Sequence, residues 1–130
     1  AYAWRKVLDA GGRLALGSDF PVESADPRLG LYAAVTRQDL QGNPPGGWLP
    51  GERLTREEAL RGFTLDAAWS LFLDQEVGSL AVGKRADLVV FEQDPMKVQE
   101  REIPRAAIDY TVVDGKVVYQ RESRERGSGR

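Results

Sequence analysis

Any acid–base or metal chemistry in this chain falls on carboxylates and lysines, because its 130 residues include no histidine and no cysteine. Histidine is the commonest metal ligand and the usual general base near neutral pH. The two absences exclude disulfides, thiolate nucleophiles and sulfur-held metals, and they point either to a non-enzyme or to an incomplete one. Among the carboxylates, Asp19 has a distinctive setting: Leu16-Gly17-Ser18-Asp19-Phe20-Pro21-Val22 places it between an apolar run and an aromatic-proline turn. By pattern alone, such an Asp is more often the former of an Asx-turn than a ligand.

The elements that would carry it follow the rhythm of an α/β repeat. Residues 1–10 read as the end of a helix stopped by Gly11-Gly12, so the chain is expected to begin inside an element. Residues 13–17 form a brief apolar run, expected to be a strand buried on both faces. After the Asp19 turn, Asp26-Pro27 caps a helix expected to reach about Leu40, and a loop dense in Gly and Pro follows from Gln41 to Gly51. Thr55-Arg56-Glu57-Glu58 is a capping box that starts a short helix ending near Gly62. A second short helix opens at Thr64, with Leu65, Ala68, Trp69 and Phe72 forming one apolar stripe expected to pack in a core. Beyond Gly78 the period becomes that of strands. Asp87–Phe91 is one, and Ile108–Val113 joins Lys116–Tyr119 through Asp114-Gly115, a type I′ hairpin turn. In that register Val112 faces Val117 and Tyr110 faces Tyr119.

Composition sets the class. The chain is 42% hydrophobic and 29% charged with a formal net charge of −2, as in a globular protein, and it offers no electrostatic case for nucleic acid. The uncharged apolar stretch Leu88-Val89-Val90-Phe91 is far too short for a bilayer, and the residues from Ala1 to Lys6 lack the apolar h-region of a signal peptide. The expectation is a cytoplasmic setting without membrane or nucleic-acid partners. Residues 122–130, charged and then Gly-Ser-Gly, are expected to be a disordered tail.

Two segments in fixed order carry a resemblance: Leu16–Val22, and Gly78-Ser79-Leu80-Ala81-Val82-Gly83-Lys84-Arg85-Ala86-Asp87-Leu88-Val89-Val90-Phe91. Leu31–Arg37, Glu58-Ala59-Leu60, Thr64–Ala68 and Val112–Tyr119 continue it, so that it covers residues 2–120. The sequence resembles the amidohydrolase superfamily in its YtcJ-like, amidohydrolase-3 branch. The resemblance implies an α/β fold: residues 1–75 as the C-terminal part of a (β/α)8 TIM barrel, its last strand and closing helices, and residues 76–121 as the C-terminal share of a small β-sandwich.

It further implies that Asp19 ends the eighth strand, where it ligates a divalent metal, expected to be zinc, and takes the proton of the attacking water. Phe20 and Pro21 would then line the substrate pocket, although an aromatic-proline turn is equally a packing device, and Trp48 reads as a cover for the pocket mouth or, more simply, as a loop aromatic resting on the surface. Arg37 reads as a substrate-anion contact or, more simply, as a cation suited to a helix C-terminus. Lys84, Arg85 and Asp87 are expected to serve a turn and a strand start. The implied function is hydrolysis of amide-like C–N bonds of a small molecule by the full-length enzyme, with no metal expected in this chain alone. Its partners would be the N-terminal part of the enzyme and, in a homo-oligomer, further copies. The competing reading is a self-standing, non-catalytic interaction module, which needs no histidine.

Overall fold

The computed structural model describes residues 2–122. The expected tail lies outside the described residues from position 123 onward. Helix α1 (Trp4–Asp9) is followed by α2 (Pro27–Thr36), a 3-10 turn (Pro50–Glu52), α3 (Arg56–Phe63) and α4 (Leu65–Ser70). Strand β1 (Leu88–Phe91), a 3-10 helix (Glu100–Arg105), β2 (Ile108–Val113) and β3 (Lys116–Gln120) complete the order. No helix among the described residues is long and apolar enough to cross a membrane.

Local chemistry sets several boundaries. Gly11, at φ +80, lets α1 end by turning back on itself, with its N–H on Leu8 O and that of Gly12 on Val7 O. The Asp26 carboxylate accepts the Arg28 N–H at 3.0 Å while Pro27 occupies the first turn of α2. Thr55 and Glu58 cap α3 reciprocally. Helix α2 stops at Thr36, short of the expected Leu40. Arg37 takes the left-handed conformation (φ 59), its N–H closes on Ala33 O at 2.8 Å, and the chain turns outward.

Residues 13–17 depart from expectation. They join no sheet among the described residues, and their only backbone tie across the fold is the Leu16 N–H donating to Gly62 O at 3.0 Å. Leu14 and Leu16 are half-buried while Arg13, Ala15 and Gly17 are exposed, so the segment has one covered side rather than two. The apolar stripe at α4 also differs. Ala68 is buried, but Trp69 is 48% exposed and Phe72 93% exposed, because α4 ends at Ser70 and Phe72 turns out at φ 61.

The core gathers Leu31, Tyr32, Ala34 and Val35 of α2 with Leu54, Ala59 and Ile103. Ile103, fully buried in the C-terminal 3-10 helix, thus packs with residues from the first half of the chain. Two arginines reinforce that contact through backbone carbonyls: Arg28 Nη1 donates to Ala106 O at 2.7 Å, and Arg56 donates to Pro95 O and Val98 O.

Strands β1, β2 and β3 form one antiparallel sheet in that order. Asp114 (φ 50) and Gly115 (φ 74) both take the positive φ of a type I′ turn. Val112 faces Val117 as expected, but Tyr110 faces Gln120, and Tyr119 faces Thr111. A β-bulge between Thr111 and Val112 gives β3 one extra residue and slips the register beyond it.

Candidate functional site

Asp19 sits at the tip of the segment that leaves α1, and its placement depends on a close contact with α3. A Cβ added at Gly62 would stand 2.7 Å from Leu16 Cδ1 and 3.0 Å from Leu14 O, so the helix meets this segment where it has no side chain. Upstream, the Arg13 guanidinium lies over the Trp69 ring, 4.6 Å from its centroid, which pins the start of the same segment.

Asp19 takes φ 53, a region that Asp tolerates better than most residues. Its carbonyl accepts the Val22 N–H at 2.8 Å, closing a turn across the cis Phe20-Pro21 bond. The Asx-turn suggested by the pattern is not made. It requires the N–H two residues on, and that residue is Pro21, which has none. The Asp19 side chain is exposed and engages in no hydrogen bond or ion pair among the described residues. Phe20, 69% exposed, and Pro21 share this open turn. A 510 Å³ cavity lined by Glu92, Arg105, Asp109 and Arg121, and a 490 Å³ cavity lined by Tyr32, Thr36, Gln38 and Arg56, include none of the three. No group of three or more His, Cys, Asp or Glu able to hold a metal occurs among the described residues. A catalytic zinc takes three protein ligands and an open position, so the residues present do not fit one by themselves.

The other singled-out residues are structural. Lys84 Nζ donates to the carbonyls of Asp74 and Val77 and to Ser79 Oγ, closing the loop that precedes β1. Arg85 pairs with Glu76 at 2.6 Å. The Asp87 carboxylate accepts the Asp114 N–H at 2.6 Å and so anchors the hairpin turn.

Arg37 forms no ion pair among the described residues. Its guanidinium carbon stands over Trp4 at 4.5 Å and over Trp48 at 4.7 Å, with Nε donating to Trp48 O and Nη1 to Tyr2 O. No local signal announces this cluster, whose members are separated by long stretches of chain. Spacing was equally silent on Arg5 and Glu58, which tie α1 to α3 through two hydrogen bonds. The Arg5 guanidinium, aided by the backbone N–H of Thr55, lowers the Glu58 carboxyl from 4.5 to about 2.

Comparison with known proteins supplies the kinship. The model of the amidohydrolase family matches residues 1–119. N-substituted formamide deformylase of Arthrobacter pascens is 37% identical over 117 residues, 90% of this chain and 21% of that protein. YtcJ of Bacillus subtilis is 31% identical over 121 residues, 93% of this chain and 23% of that protein. The chain thus spans about a fifth of the length of these relatives. Among solved structures, an amidohydrolase from Thermotoga maritima superposes with a TM-score of 0.68 at 23% identity, over 92% of this chain and 26% of that one. Guanine deaminase of E. coli gives 0.65 at 28% identity, over 91% and 30%. With helices and a small antiparallel sheet in a shared arrangement and a family match over residues 1–119, the chain belongs to the amidohydrolase family, in its YtcJ-like, amidohydrolase-3 branch.

Proposed function

We propose that this chain is the C-terminal share of a hydrolase acting on amide-like C–N bonds of a small molecule, and that Asp19 is its contribution to the active site. The deformylase named above and the guanine deaminase, whose names describe action on C–N bonds, support the reaction class. In this reading residues 1–75 belong to a (β/α)8 barrel wall, residues 76–121 to a small β-sandwich, and the segment 13–18 to a strand whose neighbours lie in the rest of the enzyme.

The observation that carries the assignment is the free Asp19 carboxylate, exposed at a turn where Pro21 denies it the ordinary Asx-turn bond. In this reading Asp19 would be one donor to a divalent metal, zinc by preference, and the remaining donors would come from the rest of the enzyme. The carboxylate's own task is proton transfer. It accepts a proton from the water that attacks the substrate carbonyl carbon, and it returns that proton to the nitrogen as the C–N bond breaks. Phe20 and Pro21, beside it on the same turn, would border the substrate.

Asp19→Asn in the complete enzyme tests this. The amide keeps the shape and tolerates the same backbone but cannot take up the proton. Turnover should fall by about 10²–10⁴-fold, the usual range for lost general acid–base catalysis, while the metal-free protein melts at nearly the same temperature. Near-normal turnover with full metal content would overturn the assignment.

A further inference from the structure

The Arg37 cluster carries an inference independent of Asp19. Arg37 is 7% exposed, and of its three guanidinium nitrogens Nη2 is buried without a hydrogen-bond partner. The other two donate to the backbone carbonyls of Trp48 and Tyr2, at 3.0 and 3.2 Å. No carboxylate lies within ion-pair distance of Arg37 among the described residues, so a buried cation has two neutral acceptors, two indole faces and no counter-charge. Leaving a buried charged donor unmade is costly, and buried charges are ordinarily paired. The site therefore lacks one anionic acceptor.

The surroundings define that acceptor. Trp4 and Trp48 each set an indole ring against the guanidinium, whose carbon lies 4.5 and 4.7 Å from their centroids, and so crowd any approach to Nη2. A flat carboxylate, whose two oxygens match the planar guanidinium fork, suits so crowded a site better than a bulkier tetrahedral anion. Tyr2 is edge-on to both indoles and is 67% exposed. Trp48 is the wall able to move: the residue is 46% exposed, on a loop that turns through Gly46 (φ +79), Gly47 (φ +85) and Leu49 (φ 48). Its backbone stays tied to Arg37 in both directions, the Trp48 N–H on Arg37 O at 2.8 Å and Arg37 Nε on Trp48 O, so rotation of the ring uncovers Nη2 without unfolding the loop.

We propose that Arg37 is the base of a carboxylate-binding slot, walled by Trp4 and gated by Trp48. The carboxylate comes either from a small free acid or from an Asp or Glu side chain in the remainder of the enzyme.

The test follows the three indole N–H signals by NMR as sodium acetate is added to the chain at constant ionic strength, with chloride and phosphate as comparison anions. The Trp4 and Trp48 signals should move saturably with acetate alone, while Trp69, stacked on Arg13, reports non-specific effects. Trp48→Ala should keep the Trp4 response and tighten half-saturation. Arg37→Lys retains the charge but not the planar fork, and with signal dispersion intact it should weaken half-saturation at least about tenfold. Acetate binding to this chain and equally to the complete enzyme assigns the slot to a small acid. Binding to this chain alone assigns it to a side chain that fills the slot in the complete enzyme. No saturable response, the same response to chloride or phosphate, or an unchanged response in folded Arg37→Lys would overturn the proposal.

Discussion

Replacing Glu58 by Gln should remove a pH-dependent share of stability whose size and window follow from one contact. The Glu58 carboxylate accepts from Arg5 Nη1 at 2.8 Å and from Arg5 Nη2, and its Oε2 also takes the Thr55 N–H at 2.8 Å. Both side chains of the ion pair are only about a quarter to a third exposed, 27% for Arg5 and 31% for Glu58. Folding lowers the carboxyl from 4.5 to about 2. Taken whole, that gap corresponds to about 3 kcal/mol, and screening at a partly exposed site reduces it to roughly 1–2 kcal/mol. The sign follows from linkage: the folded state holds the proton less tightly than the unfolded state, so the contribution is complete above 4.5 and is lost as pH falls toward about 2. Urea melts of the wild type and Glu58→Gln between pH 2 and pH 7 should therefore differ by about 1–2 kcal/mol at neutral pH and converge in acid. Arg5→Met should produce the same convergence, and adding it to Glu58→Gln should cost little more. A wild-type advantage that stays constant across that range would refute the reasoning, since a shape effect of the substitution has no reason to titrate.

Further outcomes follow from other contacts. Gly62→Ala should destabilise by about 1–3 kcal/mol in urea, because its Cβ would meet Leu16 and the Leu14 carbonyl, and in the complete enzyme it should lower turnover by displacing Asp19. Ile103→Ala, at a fully buried position, should cost about 2–5 kcal/mol by the same measurement. Lys84→Met should cost about 1–3 kcal/mol and increase amide exchange in residues 74–79, since three acceptors lose one donor. The dialysed chain should hold no stoichiometric zinc by elemental analysis, because Asp19 lacks neighbouring ligands among the described residues.

What was legible in the sequence was chemistry confined to a few neighbouring residues. Asp26-Pro27, Thr55 with Glu58, and Asp114-Gly115 each complete their hydrogen bonds or backbone angles within four positions, and each appears as read. The end of α2 was not legible, because Arg37 leaves the helix to be buried against Trp4 and Trp48, and neither is visible from the helix's own periodicity. Nor was the bulge in β3, which shifts Tyr119 from Tyr110 to Thr111 although the turn itself was identified. The apolar run at 13–17 looked like a strand covered on both sides, since sequence reports hydrophobicity but not which neighbours are present. For Asp19 the pattern favoured an Asx-turn. The proline two residues later, itself in plain view, removes the donor that such a turn needs.

The arginines that join the two ends of the chain have a consequence for how the protein tolerates change. Arg28 and Arg56 are chosen side chains, but the groups they bind, Ala106 O, Pro95 O and Val98 O, are main-chain atoms that every residue supplies. Replacement at positions 95, 98 and 106 leaves the acceptors in place as long as the backbone path and, at Val98 and Ala106, the packing survive, whereas any loss at 28 or 56 removes donors outright. Variation should accordingly be limited at 28 and 56 by the loss of donors and on the partner segment only by packing, an asymmetry that a deep mutational scan would display as two intolerant arginines facing a segment constrained by size and apolarity at Val98, Ile103 and Ala106 and open to change at Pro95.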